Sequence, residues 1–150
     1  MGSIQDALAR RILVIDGAMG TMLQRHALTE KDFRGDVFTD ASRELKGNNE
    51  CLNLTRPELI RGVHEAYIAA GADIIETNTF SANRISQAEY GCGNHAREMA
   101  MAGAKIAREA ADRSGRKVWV AGSIGPTGKS LTLASDLSNP VFRAVAFAAM

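Results

Sequence analysis

The 150-residue sequence predicts an α/β fold built on parallel strands. Three observations carry that prediction: apolar runs too short for buried helices, a glycine-bearing polar turn after each run, and stretches of helical spacing between them. The runs are residues 12–16 (ILVID), 72–80 (ADIIETNTF) and 117–124 (KVWVAGSI). They are rich in Ile and Val, as expected of strands covered on both faces in a parallel sheet.

Taken in order, residues 1–11 read as an N-terminal helix, or in part as Met-Gly-Ser residues added in cloning. The strand at 12–16 runs into the turn GAMGT. Residues 25–55 are polar, glycine-spotted and weakly periodic, a long excursion of the kind that carries function in such folds. The first long helix is predicted over TRPELIRGVHEAYIAAGA. Thr55 is its expected N-cap, Pro57 and Glu58 occupy its first turn, Leu59, Val63, Tyr67 and Ala70 form its apolar positions, and Gly71 stops it. The strand at 72–80 leads into the polar turn SANRISQAEYG, and the second long helix, NHAREMAMAGAKIAREAADRSG, is expected to run from an Asn94 cap to Gly115. The last strand ends in GPTGKS. Beyond Asn139-Pro140, PVFRAVAFAAM begins like a helix with no stop signal, so the chain reads as truncated. Three βα units cannot close an eight-stranded barrel, which takes about 250 residues. A doubly wound sheet would be nearer completion, but DGAMGT offers G-x-x-G rather than G-x-G-x-x-G, which disfavours a dinucleotide.

Composition narrows the function classes. A formal net charge of +1, with Lys and Arg scattered, supplies no field for nucleic acid or an anionic membrane. The longest apolar runs fall well short of the ~20 residues that span a bilayer, and the N-terminus has no signal-peptide core, so a cytoplasmic location is expected. Cys51 and Cys92, 41 positions apart, form no C-x-x-C motif, and the expectation is one semi-buried thiol and one loop thiol. His26, His64 and His95 lack metal-binding spacing and read as surface or packing residues. Met19 and Met22 read as gap fillers.

The glycines of VWVAGSIGPTGKS invite a nucleotide-binding reading. A phosphate loop needs G-x-x-x-x-G-K-[ST] followed by a helix. Counting back from Gly128-Lys129-Ser130 places Ser123 where the first glycine belongs, and LTLASDLSNP is no helix former. A nucleotide-binding module is therefore an unfavoured alternative.

The strand ends are more informative. Asp16-Gly17, Glu76-Thr77-Asn78-Thr79 and Gly122-Ser123-Gly125 all fall at C-terminal strand edges, where parallel α/β proteins bind ligands. Glycines let backbone N–H groups approach an anion, and a carboxylate such as Asp16 holds an ammonium, so an amino acid suits both. Each residue also has a plainer role: Asp16 as a turn cap, Glu76 paired with a basic side chain, and Thr77 and Thr79 on alternating sides of a strand.

The stretches RILVIDGAMGTMLQ, DFRGD, LKGNNECLNLTRPELI, AGADIIETNTF and AGSIGPT resemble the opening of the homocysteine-binding barrel of the cobalamin-dependent methionine synthases, over nearly the whole chain. DGAMGT and ETNTF are shared with the wider homocysteine S-methyltransferases, whereas DFRG and LKGNN are more particular to the cobalamin-dependent group. The resemblance implies that residues 12–150 are the N-terminal part of a (β/α)8 TIM barrel. It also implies homocysteine as substrate, zinc to activate its thiol, methylcobalamin as methyl donor, and methyltetrahydrofolate and cobalamin domains on the same polypeptide. Site residues carried by the matching motifs are Asp16, Gly17, Thr77, Asn78, Thr79, Ser123 and Gly125, and Glu76 joins them from the strand-end reading. The family's zinc ligands are cysteines from late barrel strands and are absent here. Cys51 stands where similar sequences carry an apolar residue, so no metal or catalytic role falls on this chain, and the isolated chain is expected to be inactive. Two alternatives remain: a cobalamin-independent homocysteine S-methyltransferase with a small methyl donor, and a non-catalytic barrel-derived fragment. Open strand edges predict association of the isolated chain.

Overall fold

A computed structural model describes residues 2–127. Its helices are α1 (Ile4–Leu8), α2 (Met19–Gln24), α3 (Glu30–Arg34), α4 (Leu52–Thr55), α5 (Pro57–Ala69), α6 (Arg84–Ala88) and α7 (Ala96–Arg113). Two strands, β1 (Ile74–Glu76) and β2 (Trp119–Ala121), pair in parallel with Ile74 opposite Trp119 and Glu76 opposite Ala121. No described helix is long and apolar enough to cross a membrane.

The α/β order holds, with shorter strands than the sequence predicts. Residues 12–16 make one parallel bridge, Ile15 to Ile74, so β1 lies between this segment and β2. Asp16 N–H donates to Ile74 O (2.9 Å) and Asp73 N–H to Val14 O (2.7 Å). Burial on both faces is not found here: Ile12 is 88% exposed and Val14 56%. No described element covers their outer face, and the segment is hydrogen-bonded on one side. At its base, Arg11 donates to both carboxylate oxygens of Asp73 (2.6 and 2.7 Å), which also accepts Val14 N–H (3.1 Å). Hydrogen bonding from Arg11 holds the Asp73 carboxyl down at about 2.

Helix α5 starts with Pro57 at its first turn, as read from the sequence, but Thr55 is not its cap. Thr55 closes α4, and its hydroxyl donates to Cys51 O (3.3 Å). Asn94 likewise does not cap α7; it lies in a 3-10 turn, Gly93–His95, and the helix starts at Ala96. Helix α7 is built largely from Ala, with Glu98 in its first turn and Arg113 in its last, where they complement the helix dipole. Met99, Gly103, Ile106, Ala107, Ala110 and Ala111 form its buried face, and Ile75, Ile68 and Val118 pack with the last three of these between helix and sheet. The polar turn SANRISQAEYG contains a helix, α6, capped by the Asn83 side chain on Ser86 N–H (2.8 Å).

Part of residues 25–55 enters the core. Phe33, Phe38, Leu45, Cys51 and Leu52 are buried in one core cluster with Ile60, Val63, Cys92, Met99 and Ile106. Charged side chains satisfy the irregular backbone: the Glu30 carboxylate accepts from Leu45 N–H (2.9 Å) and Lys46 N–H (2.7 Å), while Arg34 donates to the carbonyls of Phe38, Ala41 and Arg43. Both cysteines are buried: Cys51, expected semi-buried, is fully enclosed, and Cys92 is the expected loop thiol, between α6 and the turn Gly93–His95, but packed inside. Met19 and Met22 pack against this core as gap fillers. His64 is fully buried, and both ring nitrogens lack a hydrogen-bond partner. Lys129, Ser130 and the helix expected after Pro140 lie outside the described residues.

Candidate substrate cleft

The C-terminal ends of 12–16, β1 and β2 meet at a cleft of about 380 Å³, lined by Asp16, Gly17, Ala18, Met19, Glu76, Thr77, Asn78, Phe80 and Ser123. Six of the eight residues singled out in the sequence line it; Thr79 and Gly125 do not. The parallel register produces this convergence, because it brings every strand's C-terminal end to one edge.

Asp16 is half-buried, and both carboxylate oxygens lie 3.1 Å from the Glu76 N–H. Burial pushes its carboxyl up to about 6; the Glu76 carboxylate adds to the rise, and the N–H bonds oppose it. Glu76 is exposed and forms no ion pair among the described residues. The pairing with a basic side chain weighed for it is thus not found there. Two carboxylates and no basic side chain line the cleft among the described residues, which favours a cationic group in it.

A closed ring of hydrogen bonds joins the two strand ends behind these carboxylates. Ser123 N–H donates to Thr77 Oγ1 (3.0 Å), and Thr79 Oγ1 donates to Ser123 O (2.8 Å). The 2.6 Å contact between the threonine hydroxyls is therefore donated by Thr77, whose proton is the free one. Thr77 and Thr79 both serve this ring, since the strand ends at Glu76 and Thr79 N–H turns back to Thr77 O (2.9 Å). The alternation expected of a strand does not apply beyond Glu76.

Asn78 fixes the cleft floor. Its amide donates to Asn49 O and Asn53 Oδ1 (both 2.9 Å), and its own carbonyl accepts from Asn53 Nδ2 (2.7 Å). Gly125 N–H donates to Phe80 O (2.9 Å), and a Cβ at Gly125 would lie 2.6 Å from that oxygen. Two amides of the GSIGPT turn are thus taken by protein groups, which leaves fewer for a phosphate. A Cβ at Gly17 would come within 3.2 Å of the Tyr67 hydroxyl, so glycine permits the close passage of the turn beneath α5.

Ala18, Met19 and Phe80 are lining residues that the strand-end reasoning missed. Phe80 carried a signal, an aromatic directly after a polar strand end, and it stands exposed at the cleft. The described residues contain no group of three His, Cys, Asp or Glu placed to hold a metal, and both cysteines are buried away from the cleft lining. They do not fit a zinc site.

Residues 13–149 match the family model described as homocysteine S-methyltransferase. The chain belongs to the homocysteine S-methyltransferase family. It also resembles solved structures of the homocysteine methyltransferase MmuM from Escherichia coli. The metallated form aligns at 25% identity and a TM-score of 0.62 over 82% of this chain, and the oxidized form at 27% and 0.64 over 83%. The chain spans 41% of the length of each of those structures. The α/β arrangement is thus a portion of a homocysteine methyltransferase fold, with two strands and one further bridge within residues 2–127.

Proposed function

We propose that this chain supplies the amino-acid end of the homocysteine site in a homocysteine S-methyltransferase. The observation that carries the reading is the pair of carboxylates, Asp16 and Glu76, facing one cleft with Met19 and Phe80 beside them. An ammonium answers the carboxylates, and a short thiol-bearing chain answers the apolar flank. Ser123 and the threonine ring tie the ends of β1 and β2 together behind the carboxylates. Zinc, when bound, supplies a thiolate from a thiol that is otherwise mostly protonated at neutral pH. The described residues offer no ligand set for it, and thiol activation is not assigned to them.

The methyl donor is read as methylcobalamin, on the likeness of DFRGD and LKGNNECLNL to the cobalamin-dependent methionine synthases. The LKGNN portion is structurally coupled to the cleft, since Asn49 holds Asn78. The apolar side chains of 12–16 and Ile124 are read as facing the remaining barrel elements of an intact protein.

The test uses the intact, zinc-supplied protein. Asp16→Asn is expected to raise the KM for homocysteine about tenfold or more, the loss expected for a charge-assisted hydrogen bond, with the KM for the methyl donor unchanged. An unchanged homocysteine KM would remove the assignment. Parallel assays with methylcobalamin and with a small sulfonium donor decide the donor class.

A further inference from the structure

Beside the cleft, and sharing no lining residue with it, a second cavity of about 430 Å³ opens where α2 and α3 face residues 46–49. Leu23 and Phe33, the buried positions of the two short helices, form its apolar wall together with half-buried Leu28. The polar part of the lining is Gln24, Lys46 and Asn49. Lys46 and Asn49 are held by their backbone: Lys46 N–H donates to the Glu30 carboxylate (2.7 Å), and Asn49 O accepts from Asn78 Nδ2 (2.9 Å). Their side chains are left over. Among the described residues Lys46 forms no ion pair, and the side-chain amides of Gln24 and Asn49 form no hydrogen bond. The Asn49 amide stands beside Gly20, where a Cβ would already touch its Nδ2 at 3.4 Å.

We propose that this cavity is a second ligand site, for a small carboxylate carried on an apolar body. Its lining holds one cation and no carboxylate. Glu30, which positions Lys46, is itself paired with Arg34 (2.8 Å) and accepts the N–H groups of Leu45 and Lys46, so its charge is answered without the Lys46 ammonium. That ammonium meets the ligand carboxylate, and the Gln24 and Asn49 amides donate to its oxygens. The apolar body leaves water against Leu23, Leu28 and Phe33.

The charge preference is the reverse of the cleft's, where Asp16 and Glu76 favour an ammonium. A free amino acid would bring to this cavity an ammonium for which the lining has no carboxylate. A neutral amide would leave Lys46 unanswered, and inorganic phosphate would leave the apolar wall wet. A monoanionic amphiphile answers both parts of the lining. The two sites adjoin along the chain, since Met19 lines the cleft and Gly20 the second cavity.

The test is an NMR titration of the intact protein with hexanoate and with its neutral counterpart hexanamide, in wild type, Lys46→Met and Asp16→Asn. Hexanoate is expected to bind with a Kd of about 1 mM or tighter, within reach of so small a ligand, and about tenfold more tightly than hexanamide. Lys46→Met removes the charge of an exposed side chain and is expected to erase that difference, whereas Asp16→Asn is expected to leave it unchanged. No measurable hexanoate binding, or hexanoate no tighter than hexanamide in wild type, would overturn the proposal. So would a difference that survives Lys46→Met, or one that grows in Asp16→Asn, where the cleft has lost a negative charge. The wild-type comparison decides the matter even if a variant fails to fold.

Discussion

His64 is the residue whose chemistry least fits its surroundings. It is fully buried on α5 with neither ring nitrogen bonded, and desolvation lowers its pKa from 6.5 to about 4. The folded state therefore keeps His64 neutral at pH values where the unfolded chain binds a proton. Its contribution is fully present above pH 6.5 and is lost as pH falls toward 4, about 2 kcal/mol of it between pH 7 and pH 5. Urea unfolding of wild type and His64→Met at the two pH values should show that much less pH dependence in the variant. Thr79 makes a second test at this scale. Thr79→Val keeps the shape but leaves Ser123 O and the Thr77 hydroxyl without their partner, which is expected to cost about 1–3 kcal/mol and to raise the homocysteine KM of the intact protein. A stability loss with unchanged KM would mean that the ring only supports the fold.

Among the elements, α7 shows how closely a helix approaches the loop that floors the cleft. A Cβ at Gly103 would stand 2.7 Å from Asn53 Nδ2, 2.9 Å from Thr79 Cγ2 and 3.1 Å from Asn78 O. Gly103→Ala improves intrinsic helix propensity by about 1 kcal/mol, yet overpacking here is expected to win, with a net loss of about 1–3 kcal/mol in thermal or denaturant unfolding. A stabilised variant would show that the loop yields. Helix α5, its proline start and the alternation of strands with helices were legible because apolar spacing and Pro and Gly punctuation are local signals. The burial of Phe33, Phe38 and Leu45 within residues 25–55 was not, because it rests on Glu30 and Arg34 bonding backbone groups up to sixteen positions away, and no periodicity announces that. The cleft was legible at its strand ends, where residue type and register suffice. Met19 and Phe80 reach it through turns whose path the sequence does not encode locally.

At the scale of the whole molecule, the described sheet has two open edges and carries exposed Ile12, Val14 and Ile15, with Ile124 beyond β2 at 94%. Such surface is what an eight-stranded barrel would enclose, and the MmuM structures are about twice the length of this chain. The cleft lies at the edge where such barrels bind their ligands, and its claim to homocysteine rests on the ammonium. The most direct test is calorimetric titration of the intact protein with L-homocysteine and with its deamino analogue 4-mercaptobutanoate, in wild type and Asp16→Asn. Wild type is expected to prefer homocysteine by tenfold or more, and Asp16→Asn to erase most of that preference. Equal preference in the two proteins would contradict it.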